Sequence, residues 1–481
     1  MDLQLYILTF NCGRTLVDVD RFAAHFFHAL PLSSSADGAQ AGRRPPELIV
    51  LSVQEMAPLA YAFLGGHHLT PYFKALAETV HLAVLNRWKD EEDNNIRYVN
   101  IVRENVGMTG LMIFARADVS DQICRIETAR VGLGVQQMGN KGAVGARLGW
   151  QQKGSERGAD SERQGVPGSE TIDLAFVAAH LAPMEEAVAR RNADWRAMVE
   201  RLVFNNTTNS NSHSPASVGL FEPNTYLFVA GDFNYRTSDT RPVTGDHLRF
   251  PQIGAEGDTQ NPTRVDQSLL AGDQLTRERK KGNTFHGLSE APITFPPTYK
   301  YSNAARAAAT TTDSSHGRHN KAGTWQWTQY RWPSWCDRIL YLETASRPVE
   351  TGLYDALPLL PTSDHRAVAL SVSLPIRRAS GLGGGEGAGE EGSGRSIGIG
   401  IASAGAGSGI ASAGAGSGIA PFPLDPTWEA QLQAARRREV VVGSVAYLGL
   451  TREGQMLVLA TVLGALGAWF VLSSLTEQLV G

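Results

Sequence analysis

Apolar residues fall in short runs along this chain, and six of those runs deliver polar side chains at or near one end. Leu5–Gly13 (LYILTFNCG) leads to Asn11, Leu48–Glu55 (LIVLSVQE) to Gln54 and Glu55, and Leu174–Pro183 (LAFVAAHLAP) carries His180. Phe228–Arg236 (FVAGDFNYR) runs through Gly231 into Asp232 and Asn234, two residues apart and therefore directed to the same side of an extended chain. Trp335–Leu340 (WCDRIL) and Ser363–Val368 (SDHRAV) repeat the design among β-prone residues. The pattern predicts buried strands whose ends collect carboxylates, amides and imidazoles in one place.

Two stretches change period from two to about 3.6 and predict helices with one face on a core. Arg21–Leu30 places Phe22, Phe26, Phe27 and Leu30 at helical spacing, and Glu185–Val203 does the same with Val188, Trp195, Met198, Val199 and Leu202. Polar, Gly/Ser-rich segments at Ser33–Pro46, Gln151–Glu170, Asn205–Ser217 and Ala304–Gly323 interrupt the alternation and are expected to be surface-loop insertions.

The character of the chain changes after the last strand-like run. Gly381–Ala420 is dominated by Gly, Ser and Ala and repeats GIASAGAGS, a composition with too little apolar surface to order itself, so a flexible tether is expected there. Met456–Leu475 then has no charged residue, which suits a bilayer-spanning helix, with Trp469 toward one end and Arg436–Arg438 upstream. The expected organisation is a catalytic domain at 1–375, a linker and juxtamembrane segment at 376–455, and a transmembrane tail anchor at 456–475.

Composition narrows the function classes. At 481 residues and 42% hydrophobic, the chain can bury a large core, and its net charge of −4 lacks the footprint of a nucleic-acid binder. Three cysteines, Cys12, Cys124 and Cys336, are too few and too scattered for a disulfide framework or a zinc site. Met1 leads straight into LQLYILTF without a basic region or cleavage site, so no secretory signal is expected. Asp232 beside Asn234 suggests hydrolysis, with the carboxylate taking a proton from water and the amide holding an anionic oxygen.

From about Leu3 to Leu374 the chain resembles the inositol polyphosphate 5-phosphatases, a branch of the endonuclease/exonuclease/phosphatase superfamily. The resemblance is carried by GDFNYR, the block from Asp273 (DQLTRERKKG), ITFPPTYKY at Ile293–Tyr301, PSWCDRIL at Pro333–Leu340, SDHRAV, and MGNKGAV at Met138–Val144. Departures are Ala178 where an Asn is usual, Phe10 for Trp, Ala367 for Pro, and Gly132–Gln137 (GLGVQQ) for a Gly-rich run.

The resemblance implies an α/β fold, a four-layer α/β sandwich of two packed mixed β-sheets flanked by helices, DNase I-like. It implies Mg²⁺ as cofactor, with Glu55 the best ligand, Asn11 nearby and Asp364 on the metal side. Asp232 would orient and deprotonate water, Asn234 would bond an equatorial oxygen, and His180 and His365 would donate to the phosphoryl group, Asp337 orienting His365. Tyr299, Lys300 and Arg338 would grip the phosphate next to the scissile one, and Lys141 would face the phosphate toward the lipid. The expected substrate is a phosphoinositide lipid, phosphatidylinositol 4,5-bisphosphate, hydrolysed at its 5-phosphate by direct water attack at the cytosolic face of the endoplasmic reticulum membrane. Soluble inositol polyphosphates and a catalytically inactive phosphoinositide tether are the alternatives. Neither nucleic acid nor a second subunit is expected as partner.

Overall fold

A computed structural model describes residues 2–31, 44–89, 96–151, 171–205, 217–223, 225–251, 267–311, 326–344, 347–375 and 419–480. Most of the four expected insertions and nearly all of the Gly/Ser/Ala tether lie outside the described residues.

The strands are β1 (Asp2–Asn11), β2 (Leu48–Gln54), β3 (Tyr98–Val106), β4 (Thr109–Arg116), β5 (Ile123–Gly132), β6 (Gly142–Gln151) and β7 (Thr171–His180). A two-stranded ribbon follows, β8 (Phe204–Asn205) with β9 (Ser217–Val218), and then β10 (Thr225–Asp232), β11 (Leu288–Ser289), β12 (Asp337–Leu342), β13 (Glu350–Ala356) and β14 (Val368–Pro375). They form two mixed six-stranded sheets, ordered β13-β14-β1-β2-β4-β3 and β11-β12-β10-β7-β6-β5.

Period-two alternation sorts each strand's side chains into two layers. Leu3, Leu5 and Ile7 of β1 and Tyr226, Phe228 and Ala230 of β10 fill the core between the sheets. Tyr6, Leu8 and Phe10 point the other way, onto Phe22, Phe26, Phe73, Leu76 and Val80 of an outer helical layer. Leu227 and Val229 face Trp195, Met198 and Val199 of the opposite outer layer. Both expected helices therefore cover sheets. Their extents differ: Val19–His25 is helical and the chain then turns, with Leu30 N–H donating to Phe27 O, while the second helix spans Val188–Arg201.

The chain from residue 419 onward also packs against the two-sheet body. A helix at Trp428–Leu450 buries Ala435, Glu439 and Gly443, one stripe at i, i+4 and i+8, against the catalytic domain. Its backbone approaches so closely that a Cβ at Gly443 would lie 2.8 Å from that of Phe63. Thr451 alone separates it from a second helix, Arg452–Val480. The span Arg452–Thr476 is long and apolar enough to cross a membrane, and none of its apolar window is buried among the described residues.

Candidate active site

The alternation that fills the inter-sheet core also builds the site. Continuing the inward parity of β1, β2, β7 and β10 past their last apolar residues gives Asn11, Gln54, His180 and Asp232, and Asp337 opens β12 on the same side. Register aligns three of them: Asp232 lies beside His180 in the parallel β10/β7 pair and opposite Asp337 in the antiparallel β10/β12 pair. The second sheet reaches across the core, with Asn11 Nδ2 donating to Asp232 Oδ2 at 3.0 Å. Below this contact, Ser52 Oγ donates to Ala230 O at 2.8 Å and accepts from Gln54 Nε2 at 2.8 Å, which fixes the two strand ends against each other.

Asp232 is the hub. His180 Nε2 lies 3.2 Å and His365 Nε2 3.9 Å from its Oδ2, while its Oδ1 accepts from Asn234 N–H at 3.0 Å. Burial alone would raise its pKa, but the two imidazoles and Lys141 outweigh that and hold it far below the usual carboxylate range. Asn234, at φ 57°, donates from Nδ2 to Leu181 O at 3.1 Å and accepts at Oδ1 from Arg236.

His365 Nδ1 meets Asp337 Oδ2 at 2.9 Å, and the same oxygen accepts from Thr298 Oγ1 at 2.7 Å. Burial works against the charge on His365, yet Asp337 and Asp232 push its pKa up to about 9. Burial raises the pKa of Asp337. His180 goes the other way: its burial and the neighbouring Lys141 ammonium lower its pKa against the pull of Asp232. The site thus sets His365, kept charged by its carboxylates, and His180, whose charge burial and Lys141 disfavour, on either side of Asp232.

Thr298 and Arg236 are functional neighbours that sequence reasoning did not assign, although both lie inside motifs it quoted. Arg236 is buried, its guanidinium 4.3 Å from the Tyr299 ring centre, and Tyr299 lies 4.5 Å from the His365 ring. Arg14, at φ 64°, was carried by no signal, and donates to both oxygens of Glu55 at 2.8 and 3.3 Å.

Three expected placements are corrected. Arg338 does not reach the site: it follows Asp337 by one residue, so its side chain leaves on the opposite face of β12. There it is 1% exposed, bonded to Glu290 at 2.5 and 2.6 Å and to Asp273 at 3.1 and 3.2 Å. Asp273 also caps the helix Gln274–Lys280, so this part of the recognised motif is scaffold. Lys141, expected to face the phosphate toward the lipid, points into the cluster, its Nζ 2.6 Å from His180 Nε2 and 3.6 Å from Glu55 Oε1. Asp364, expected on the metal side, pairs with Lys300. Lys300 and Asp364 together border an open cavity of about 400 Å³ that Arg306, Thr328 and Tyr330 also line.

The donor set fits a hard divalent cation. Asp232, Asp337 and His365 offer atoms close enough to share an ion; Asp337 Oδ2 is engaged with His365 and Thr298, while Asp337 Oδ1 is buried without a hydrogen-bond partner among the described residues. Glu55 differs: its carboxylate faces only the cations Arg14 and Lys141, which, with His180, hold its pKa down although burial opposes it. A carboxylate gathered with an amide and matched by movable ammonium and guanidinium groups is a site a metal ion can take over.

The two-sheet sandwich matches the Endonuclease/Exonuclease/phosphatase family 2 over residues 8–371. The chain belongs to that family. Among its relatives, type I inositol polyphosphate 5-phosphatase 13 of Arabidopsis thaliana is 30% identical over 54% of this chain and 22% of its own. The type II inositol 1,4,5-trisphosphate 5-phosphatase of Mus musculus is 26% identical over 69% and 27%. The polyphosphatidylinositol phosphatase INP53 of Saccharomyces cerevisiae is 28% identical over 67% and 23%. The chain spans between 19% and 33% of the length of these and similar curated relatives. A crystal structure of the inositol polyphosphate 5-phosphatase domain of SPsynaptojanin, bound to inositol (1,4)-bisphosphate and calcium, shares the fold, with a TM-score of 0.52 at 21% identity over 78% of this chain and 84% of that one.

Proposed function

We propose that this chain is a divalent-metal-dependent phosphoinositide 5-phosphatase that converts phosphatidylinositol 4,5-bisphosphate to phosphatidylinositol 4-phosphate by direct attack of water. The observation that carries the reading is the charged His365, held by Asp337 and facing the ionised Asp232, next to a cavity bordered by Lys300.

A phosphate monoester resists hydrolysis because its charge repels the nucleophile and the alkoxide leaves poorly. Glu55 and Asn11 would hold Mg²⁺, which when bound neutralises charge on the phosphoryl and leaving oxygens. Asp232 aligns the water. Its depressed pKa makes it a weak base, so the proton passes to it late, as the new P–O bond closes, which suits a loose phosphoryl-transfer transition state. His365, protonated at neutral pH, donates to the phosphoryl oxygens through Nε2 while Asp337 holds Nδ1. Lys141 adds a positive charge at the scissile group, and Asn234, locked by Leu181 and Arg236, keeps the Asp232 carboxylate aimed. The P–O bond to inositol C5 breaks, the leaving oxygen takes a proton from solvent to become the hydroxyl, inorganic phosphate is released, and Asp232 returns the proton it took from water to solvent.

Lys300 supports a preference for a second phosphate beside the scissile one, since a point charge at the cavity edge suits a dianion. The apolar span Arg452–Thr476 favours a lipid substrate because it would confine the enzyme to a membrane, with the catalytic domain facing the cytosol. Its Gly and Ala content suits a thin bilayer such as the endoplasmic reticulum. Release of phosphate from a panel of phosphoinositides and soluble inositol phosphates, with and without Mg²⁺, tests the reading. A 5-phosphate-specific signal is expected, and none from substrates lacking that group.

A further inference from the structure

The helix Trp428–Leu450 meets the domain on the loop that carries Lys141. Its buried Glu439 accepts the Gly139 N–H at 2.7 Å, two residues before Lys141. Arg436 pairs with the other Glu439 oxygen at 3.1 Å and donates to the carbonyls of Phe63 and Leu64 at 2.5 and 3.1 Å, so the carboxylate is held from both sides.

Two more contacts brace the turn just before Gly139. Gln136 and Gln137 sit there at φ 51° and 64°, a region that side-chain-bearing residues avoid. Arg438 donates to Gln136 O at 2.9 Å, and Gln137 Nε2 donates to Gln431 Oε1 at 2.8 Å. From Gly139 the bonding continues inward. Its carbonyl accepts from Met108 N–H at 3.0 Å, and the Met108 carbonyl accepts from Met56 N–H at 3.2 Å, the residue after Glu55.

We propose that the helix Trp428–Leu450 is a working part of the catalytic unit, in which Glu439 is a positioning residue that sets Lys141 and Glu55 through the Gly139 and Met108 backbone. Only Thr451 separates this helix from the apolar one, so the element that braces the two active-site groups leads directly into the one that would enter a membrane. The apolar helix thus begins directly after an element docked on the two-sheet body. The catalytic consequence rests on the phosphatase reading above. The mechanical link does not.

The test uses the full chain in detergent micelles with a soluble inositol polyphosphate bearing a 5-phosphate. Glu439→Ala is expected to lower kcat by about tenfold, the worth of one buried amide left unpaired, and to raise the half-saturating Mg²⁺ concentration by about three- to tenfold through the Glu55 turn. Glu439→Gln, which keeps an acceptor, is expected to restore most of both. Arg438→Ala, at the exposed rim, is expected to shift both values the same way by less. Hydrogen exchange, which needs no turnover, is expected to speed up at residues 135–141 and at Met56 in Glu439→Ala while the strands β7 and β10 stay protected. The exchange effect in Glu439→Ala, together with no turnover by the wild-type chain, counts against the phosphatase reading and supports the brace. Unchanged exchange, or wild-type kcat and metal requirement in Glu439→Ala, overturns the proposal.

Discussion

His365 Nδ1 lies 2.9 Å from Asp337 Oδ2, and this pair keeps an imidazole charged beside the Asp232 carboxylate. A free imidazole titrates at about 6.5, whereas His365 stays protonated up to about 9. Its folded-state pKa is raised, so its charge contributes stability fully below about pH 6.5 and loses that contribution as pH rises through 9. A pH–rate profile is therefore expected to fall on its alkaline side near 9. Asp337→Asn should move that limb toward neutrality and lower kcat.

Asp232→Asn is expected to lower kcat by at least about a hundredfold while KM changes little, because it removes the group that aligns water and leaves Lys300 in place. Steady-state kinetics on a soluble substrate checks this. A raised KM with unchanged kcat would move the base elsewhere.

Lys300 and Arg338 separate recognition from scaffold. Lys300→Ala should reduce turnover of a 4,5-bisphosphate substrate far more than that of one lacking the 4-phosphate. Arg338→Leu leaves Asp273 and Glu290 as buried carboxylates without their partner and should cost about 3–5 kcal/mol of stability. Chemical denaturation measures the second effect, and equal stability to wild type would contradict the scaffold role.

Much of this was legible in the sequence, because a strand's period of two is a strong constraint. Once Leu5, Ile7 and Phe228 are read as interior, Asn11 and Asp232 must continue the same face, and their meeting follows. The same rule, applied to β12, would have turned Arg338 away from the site, but motif proximity to Asp337 hid it. Lys141 and Asp364 were misplaced because each is positioned by a loop whose partners, Glu55 with His180 and Lys300, are remote in sequence. The docked helix was least legible: Ala435, Glu439 and Gly443 are a small, mixed stripe, and its contact with Gly139 depends on a turn no local pattern announces.

The tail makes a separable prediction. A chain ending at Leu450 keeps the docked helix and loses the apolar one, so it should leave the membrane pellet after a carbonate wash and keep near-full activity on soluble substrate. A chain ending at Ala420 should be slower, since it also removes Glu439. Retention of the Leu450 form in the pellet would place an anchor inside the catalytic domain.

The most direct measurement is product analysis of phosphatidylinositol 4,5-bisphosphate incubated with the full chain, with Mg²⁺ and with excess chelator. The account predicts phosphatidylinositol 4-phosphate and inorganic phosphate with metal, neither with chelator, and loss of both in Glu55→Gln by at least about a hundredfold. Full activity in chelator, or a product that has lost the 4-phosphate instead, would contradict it.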